Sequence, residues 1–285
     1  MIASLLVLPA LHVALIGALG GLVGAFAYLD RRIFFAESVT HGTFPGAVLG
    51  VVIAAAVGLG HSGRSTALYI GAFLGTIPLV ALMRALAKIP GISSQGAAGI
   101  VLTAGFAAGY FLATWFKPLP LAVNSFLTGS VITVSPADVV WAAAILVLTT
   151  VTVSVGHRHL LAHCFDPSAP AAASHTARNE HIILTIILAA VTVAIPAVGT
   201  VLSIALVAAP AASLAPIVSS SRAFLIGSPL LGAFLGLAGL AIAVPARLSA
   251  GGTIALLCAV SVFVSRVPAW IARVPRARRA RRRWA

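Results

Sequence analysis

Only five carboxylates, Asp30, Glu37, Asp138, Asp166 and Glu180, occur in 285 residues, and charged side chains of both signs make up 8% of the chain. A soluble domain carries charge on about a quarter of its residues, so this scarcity excludes a water-soluble globule. Cysteine is as rare: Cys164, in a polar stretch, and Cys258, in an apolar one, make a disulfide framework unsupported. No basic residue precedes Arg31, so the apolar start lacks the positive region of a cleaved secretory signal and is expected to stay. Gly-x-x-x-x-Gly-Lys-Ser/Thr is missing, which denies the chain a phosphate-cradling loop. His-Glu-x-x-His and Ser/His constellations inside the apolar runs are missing too, which argues against an intramembrane hydrolase.

What remains is apolar: 60% of the residues, with 26 Gly and 16 Pro. A bilayer core of roughly 30 Å needs about 20 apolar residues per helix. Runs at about 3–29, 42–60, 65–86, 97–116, 139–155, 181–196, 198–218, 223–244 and 250–270 predict an all-α, polytopic helical bundle of about nine spans, with eight as the alternative. The 198–218 segment is the weakest of them, because Ile195-Pro196-Ala197-Val198-Gly199 is either a very short connection or a broken helix.

The formal net charge of +13 is concentrated in a tail. Residues 273–285, with Arg273, Arg276, Arg278, Arg279, Arg281, Arg282 and Arg283, read as a basic cytoplasmic tail after a transmembrane domain of 1–272. Clustered Arg beyond a last span anchors topology against anionic lipid, and nucleic acid is not the expected partner. Alternating back from the tail puts Arg31, Arg32, Arg84, Lys88, Arg158, Arg178, Arg222 and Arg266 inside, and Arg64, Lys117 and Arg247 outside. The positive-inside rule therefore places the N-terminus outside and the C-terminus in the cytoplasm.

Small residues recur four apart at Gly17/Gly21, Gly20/Gly24, Gly71/Gly75, Gly105/Gly109 and Gly232/Gly236, a pattern that lets helices approach closely in lipid. Residues 117–138 are too polar to span, and part of them is expected to re-enter the membrane. At their end, Ser135-Pro136-Ala137-Asp138 reads as a cap, a first-turn proline and an acid opening a helix.

Glu37 stands apart among the acids. It lies in Arg31-Arg32-Ile33-Phe34-Phe35-Ala36-Glu37-Ser38-Val39-Thr40-His41-Gly42-Thr43-Phe44-Pro45-Gly46, with His41 four residues on. That spacing puts carboxylate and imidazole on one helical face, as a divalent transition ion requires. The neighbouring Gly and Pro suggest a locally broken helix lining a cavity. The other reading is structural: Glu37 paired with Arg31 or Arg32 at the interface, and His41 a hydrogen-bonded packing residue.

The same stretch resembles the Arg-Arg, acid, three residues, His, Pro-Gly signature of the membrane-spanning permeases of ABC importers for zinc, manganese and ferrous iron. Ser94-Gln95-Gly96-Ala97-Ala98-Gly99-Ile100 is similar to that family's Ala-Ile-Gly-Ile segment. Phe126-Leu127-Thr128-Gly129-Ser130 and Val134-Ser135-Pro136-Ala137-Asp138 resemble its Leu-Phe-Gly and Val-Ser segments. Phe165-Asp166-Pro167 resembles its Phe-Asp-Pro, and Val198-Gly199 through Ala208-Ala209-Pro210-Ala211-Ala212 its Val-Gly to Pro-Ala-Ala run. The match runs in order over about residues 12–265.

The resemblance implies metal contact by Glu37, where most members have Asp, and by His41. Gln95 departs from an acid common in relatives. It further implies that Phe165, Asp166, Pro167 and Ser168, within a cytoplasmic coupling loop at 156–180, dock on a separate ATPase, although Pro170 interrupts the helix that members usually continue there. Asp166-Pro167 itself fits a helix entry. His157, His159, His163, His175 and His181 with Cys164 crowd the same loop, as a regulatory metal site or as ordinary surface histidines. His12 and His61 are expected near the outer surface.

The expected function is thus that of a non-enzymatic permease. Two copies form a path for a divalent metal (Mn, Zn or Fe), an ATPase subunit spends the ATP, and an extracytoplasmic metal-binding protein delivers the ion. No permanent cofactor is expected. A secondary transporter or channel, and a cobalamin or siderophore permease, are the alternatives.

Overall fold

With no water in the bilayer core to satisfy them, backbone N–H and C=O groups must bond within their own segment, and the chain answers with helices. The computed structural model describes residues 2–119, 131, 134–165 and 176–281. These form α1 (Ile2–Leu29), α2 (Ile33–Ala56), α3 (His61–Leu86), α4 (Ser94–Trp115), α5 (Pro136–Phe165), α6 (Thr176–Leu214), α7 (Ser221–Ala246) and α8 (Ala250–Arg281). Eight described helices are long and apolar enough to cross a membrane.

The weak 198–218 assignment resolves into a return pass. Gly199 has φ 78 and ψ 170 inside α6, a conformation that only glycine adopts without strain. The chain reverses there. Glu180 bonds Arg32, just beyond the end of α1, at 2.9 Å, yet Val207 lies against Gly24 and Leu206 against Gly20 of the same α1. A straight helix would separate Glu180 from Val207 by about 40 Å, so residues 176–195 run antiparallel to α1 and Val198–Leu214 run back parallel to it. The second arm is a shorter apolar helix than the eight, and counting it gives nine passes among the described residues.

Two expectations are corrected. The helix is not broken around Glu37 and His41: α2 runs without interruption from Ile33 through Gly42 and Pro45. The glycines there serve contact instead of breakage, since a Cβ on Gly46 would lie 2.2 Å from the Gly71 carbonyl oxygen. The hydroxyls of Thr40 and Thr43 donate to the carbonyls of Glu37 and Thr40 at 2.6 and 2.8 Å. Nor is 156–180 a loop throughout. α5 continues to Phe165 because Leu160 and His163 carry its buried face onward, at 1% and 6% exposure, and α6 begins at Thr176; only 166–175 lie between, outside the described residues.

The glycine pairs hold the bundle together. A Cβ at Gly17, Gly21, Gly24, Gly71, Gly75 or Gly232 would fall under 3 Å from the backbone of a facing helix, so α1 packs on α6 and α7, and α2 on α3, at backbone distance. Gly109 does the same beside the Phe44 ring. The start of α5 is the capping box expected: Ser135 N–H and Oγ both donate to Asp138 Oδ2 at 2.8 Å. Asp138 also accepts from the Tyr69 hydroxyl at 2.5 Å, fixing α5 to α3. The segment 120–130, with Phe126–Ser130 and the expected re-entrant part, lies outside the described residues.

Candidate functional site

Most of α2 is covered by its neighbours: Phe35, Ala36, Val39, Phe44, Val48 and Val51 are 5% exposed or less. One stripe is not. Phe34, Glu37, His41, Pro45, Leu49 and Ile53 follow one another three or four residues apart, as one helical face requires, and none is buried. Glu37 and His41 stand on it about 6 and 12 Å along the axis from Ile33.

Within the chain, little holds either group. The His41 ring meets Phe106 of α4 edge-on, centroids 5.6 Å apart at 83°, and its buried Nδ1 has no hydrogen-bond partner among the described residues. Phe106 is itself 39% exposed. Glu37 lines an open cleft of about 590 Å³ with Tyr28, Leu29, Arg31, Ile33, Phe34 and Gln95. Its side chain makes no hydrogen bond or ion pair among the described residues. Neither arginine bonds Glu37 among the described residues: Arg32 is engaged with Asp30 and Glu180, and Arg31 only shares the cleft. Gln95, singled out as a departure from the family pattern, faces Glu37's cleft, a juxtaposition that the sequence separation of 58 residues hides.

Arg32 is the hub of an ionic cluster that no motif announces. Its Nε donates to Asp30 Oδ2 at 3.0 Å and its Nη2 to Glu180 Oε1 at 2.9 Å. Arg84 approaches Glu180 at 3.9 Å and His181 at 3.2 Å, and His163 Nε2 stands 3.9 Å from Asp30. Burial pushes the Asp30 carboxyl above its usual range, opposed by Arg32 and His163. The cluster ties the α1–α2 junction to the end of α5 and the start of α6, the two helices that flank 166–175. Asp30-Arg31-Arg32 was visible as a charged junction; Glu180, 148 positions from Arg32, gave no local signal.

Phe165 ends α5 and is 65% exposed, while Asp166, Pro167 and Ser168 lie outside the described residues, as does His175. The loop histidines do not converge: His163 turns inward to Asp30, His181 binds Arg84 and the Ala177 carbonyl, and no group of three potential ligands forms among the described residues. His12 is fully enclosed in the bundle; the side chain of His61 lies outside the described residues.

Residues 3–268 match the ABC 3 transport family. The chain is 31% identical over 258 residues to the zinc transport system membrane protein TroC of Treponema pallidum (strain Nichols), covering 88% of this chain and 84% of that protein. It is 27% identical over 274 residues to the manganese transport system membrane protein MntC of Halalkalibacterium halodurans, covering 94% and 89%. Among solved structures, PsaBC from Streptococcus pneumoniae in complex with Fab superposes with a TM-score of 0.75 at 22% identity, over 93% of this chain and 95% of that one, and shares its fold.

Proposed function

Taking as premise that this chain belongs to the ABC 3 transport family and is a multi-pass protein of the cytoplasmic membrane, we propose that it is the permease subunit of an importer for a divalent transition metal, in which Glu37 and His41 contact the ion. Manganese and zinc are the cargoes named for relatives; ferrous iron suits the same carboxylate and imidazole donors. The observation that carries the reading is the stripe of α2 that its neighbours leave half-buried to exposed. An ionisable side chain within a spanning helix is costly when left without a partner; Glu37 has no ion pair and His41 Nδ1 no hydrogen-bond partner among the described residues, so this face calls for water or a partner, not hydrocarbon.

A second copy of the chain supplies that partner. Across a two-fold axis the same stripe meets itself, bringing two carboxylates and two imidazoles to one conduit, enough donors for a passing divalent ion and few enough to release it. The excess of Arg and Lys at the Arg32 end directs that end to the cytoplasm, with the N-terminus outside and the basic tail 273–285 inside, against anionic lipid. There a separate ATPase subunit engages the 166–175 region, with Phe165, Asp166, Pro167 and Ser168 as its docking residues. An extracytoplasmic metal-binding protein delivers the ion at the other end.

Uptake of labelled manganese, zinc and ferrous iron in cells carrying or lacking the chain tests the reading. It predicts loss of one of these fluxes on deletion and its return on complementation; unchanged uptake of all three rejects it.

A further inference from the structure

Beside the α2 stripe, a second feature of the bundle remains unused by transport. α3 is bound tightly to α2 through Gly71 and Gly75, but it meets α6 through Arg84, against Glu180 and His181, and a lateral groove of about 610 Å³ lies between the two helices. Along α3 its wall runs Ile77, Ala81 and Arg84, with Lys88 in the turn just beyond the helix end, and along α6 Leu188, Leu184, His181. The deep part is apolar and the end is cationic. From Ile77 to Lys88 the wall rises about 16 Å, the depth of one leaflet of a hydrocarbon core roughly 30 Å thick.

At the cationic end the groove meets a second cleft of about 640 Å³, which shares Phe35, Arg84 and Lys88 with it and adds Arg31, Arg32, Asp30 and Glu180. Four permanent cations there face two carboxylates. Both carboxylates are bonded to Arg32, whereas Arg31 and Lys88 have no ion pair among the described residues. An apolar slot one leaflet deep, ending in unspent positive charge, has the chemistry of an amphiphile with an anionic head.

We propose that this groove holds one anionic phospholipid, its acyl chain between α3 and α6 and its phosphate at Arg84, Lys88 and Arg31. Basic pockets between spanning helices at the cytoplasmic interface are suited to such head groups. The acyl-chain groove shares no lining residue with the Glu37 cleft, whereas the head-group end borders that cleft through Arg31, Phe34 and Gln95.

Native mass spectrometry of the purified full chain, titrated with phosphatidylglycerol or with phosphatidylcholine of identical acyl chains, tests the site. One phosphatidylglycerol per chain is expected to bind about tenfold more tightly than phosphatidylcholine. Lys88→Glu should bring the two close to parity, and Ala81→Trp, which fills the apolar slot, should weaken both. If Ala81→Trp does not fold, Arg31→Glu gives a second reading of the head-group end. Equal binding of the two lipids by the wild type, or a preference untouched by Lys88→Glu, overturns the proposal. So does disulfide trapping of two copies through Ile77→Cys in native membranes, which would put a second copy in the groove.

Discussion

Gly75→Ala probes the seam that positions α2. An added Cβ would stand 2.4 Å from the Gly46 Cα, where ordinary carbon contacts begin near 3.4 Å, so the two backbones must part by about 1 Å. Both contacting atoms are backbone, and no rotamer change relieves them. A gap of 0.5–1 Å forfeits about a quarter to a half of each contact's dispersion well, and in lipid no hydrophobic drive between helices makes up the loss. Overpacking of this kind costs about 1–3 kcal/mol, or roughly 2–12 °C in melting temperature at about 2–4 °C per kcal/mol. Gly156→Ala is the matched control. It lies within α5, and its new Cβ would meet only the Leu160 side chain, Cδ1 at 3.5 Å and Cγ at 3.6 Å, so replacing glycine there should stabilise by about 0.5–1 kcal/mol. Thermal unfolding in detergent, followed by fluorescence-detected size-exclusion chromatography, reads both. A Gly75→Ala chain that melts at or above the wild type would refute the close-packed seam.

Gly199→Ala should be destabilising by about 1–3 kcal/mol, because alanine pays strain at φ 78; a melting curve that coincides with the wild type would show that α6 does not turn back there. Arg32→Ala strips Asp30 and Glu180 of their shared partner, and should lower the melting temperature and slow ATP-driven uptake together; Arg32→Lys, which has no fork to hold both carboxylates, should recover only part. Intact stability in Arg32→Ala would remove the cluster from the account. Ser38 Oγ lies 2.9 Å from both the Phe34 and the Ala98 carbonyls, so Ser38→Ala should cost only about 0.6 kcal/mol, the average for interhelical hydrogen bonds in a membrane. A loss several times larger would mean that α4 is held to α2 by this bond more than by Gly105 and Gly109.

Much of this architecture was legible because lipid simplifies the code. Long apolar runs had to become helices, and the four-residue glycine spacings had to become contacts, since nothing else in those segments allows backbones to meet. The start of α5 was readable from Ser135 to Asp138 because a capping box is local. Gly42 and Pro45 misled as a break, for glycine signals both bend and close packing, and only the facing Gly71, Gly75 and Gly105 decide between them. Polar His157, Arg158 and His159 hid the continuation of α5 because a helix that leaves the membrane keeps its hydrogen bonds while losing its hydropathy. Glu37 and His41 were singled out from spacing and family resemblance; that Arg32 would be taken by Asp30 and Glu180, leaving Glu37 without an ion pair among the described residues, depends on contacts across 148 positions.

The central claim is that Glu37 and His41 line the ion's route. Vesicles containing the permease, reconstituted with an ATPase subunit and a metal-loaded binding protein, would be assayed for ATP-driven metal entry and for ATP hydrolysis in parallel. Glu37→Gln and His41→Ala are expected to assemble, insert and support ATP hydrolysis while metal entry falls at least tenfold. Wild-type metal entry in both variants would contradict the account.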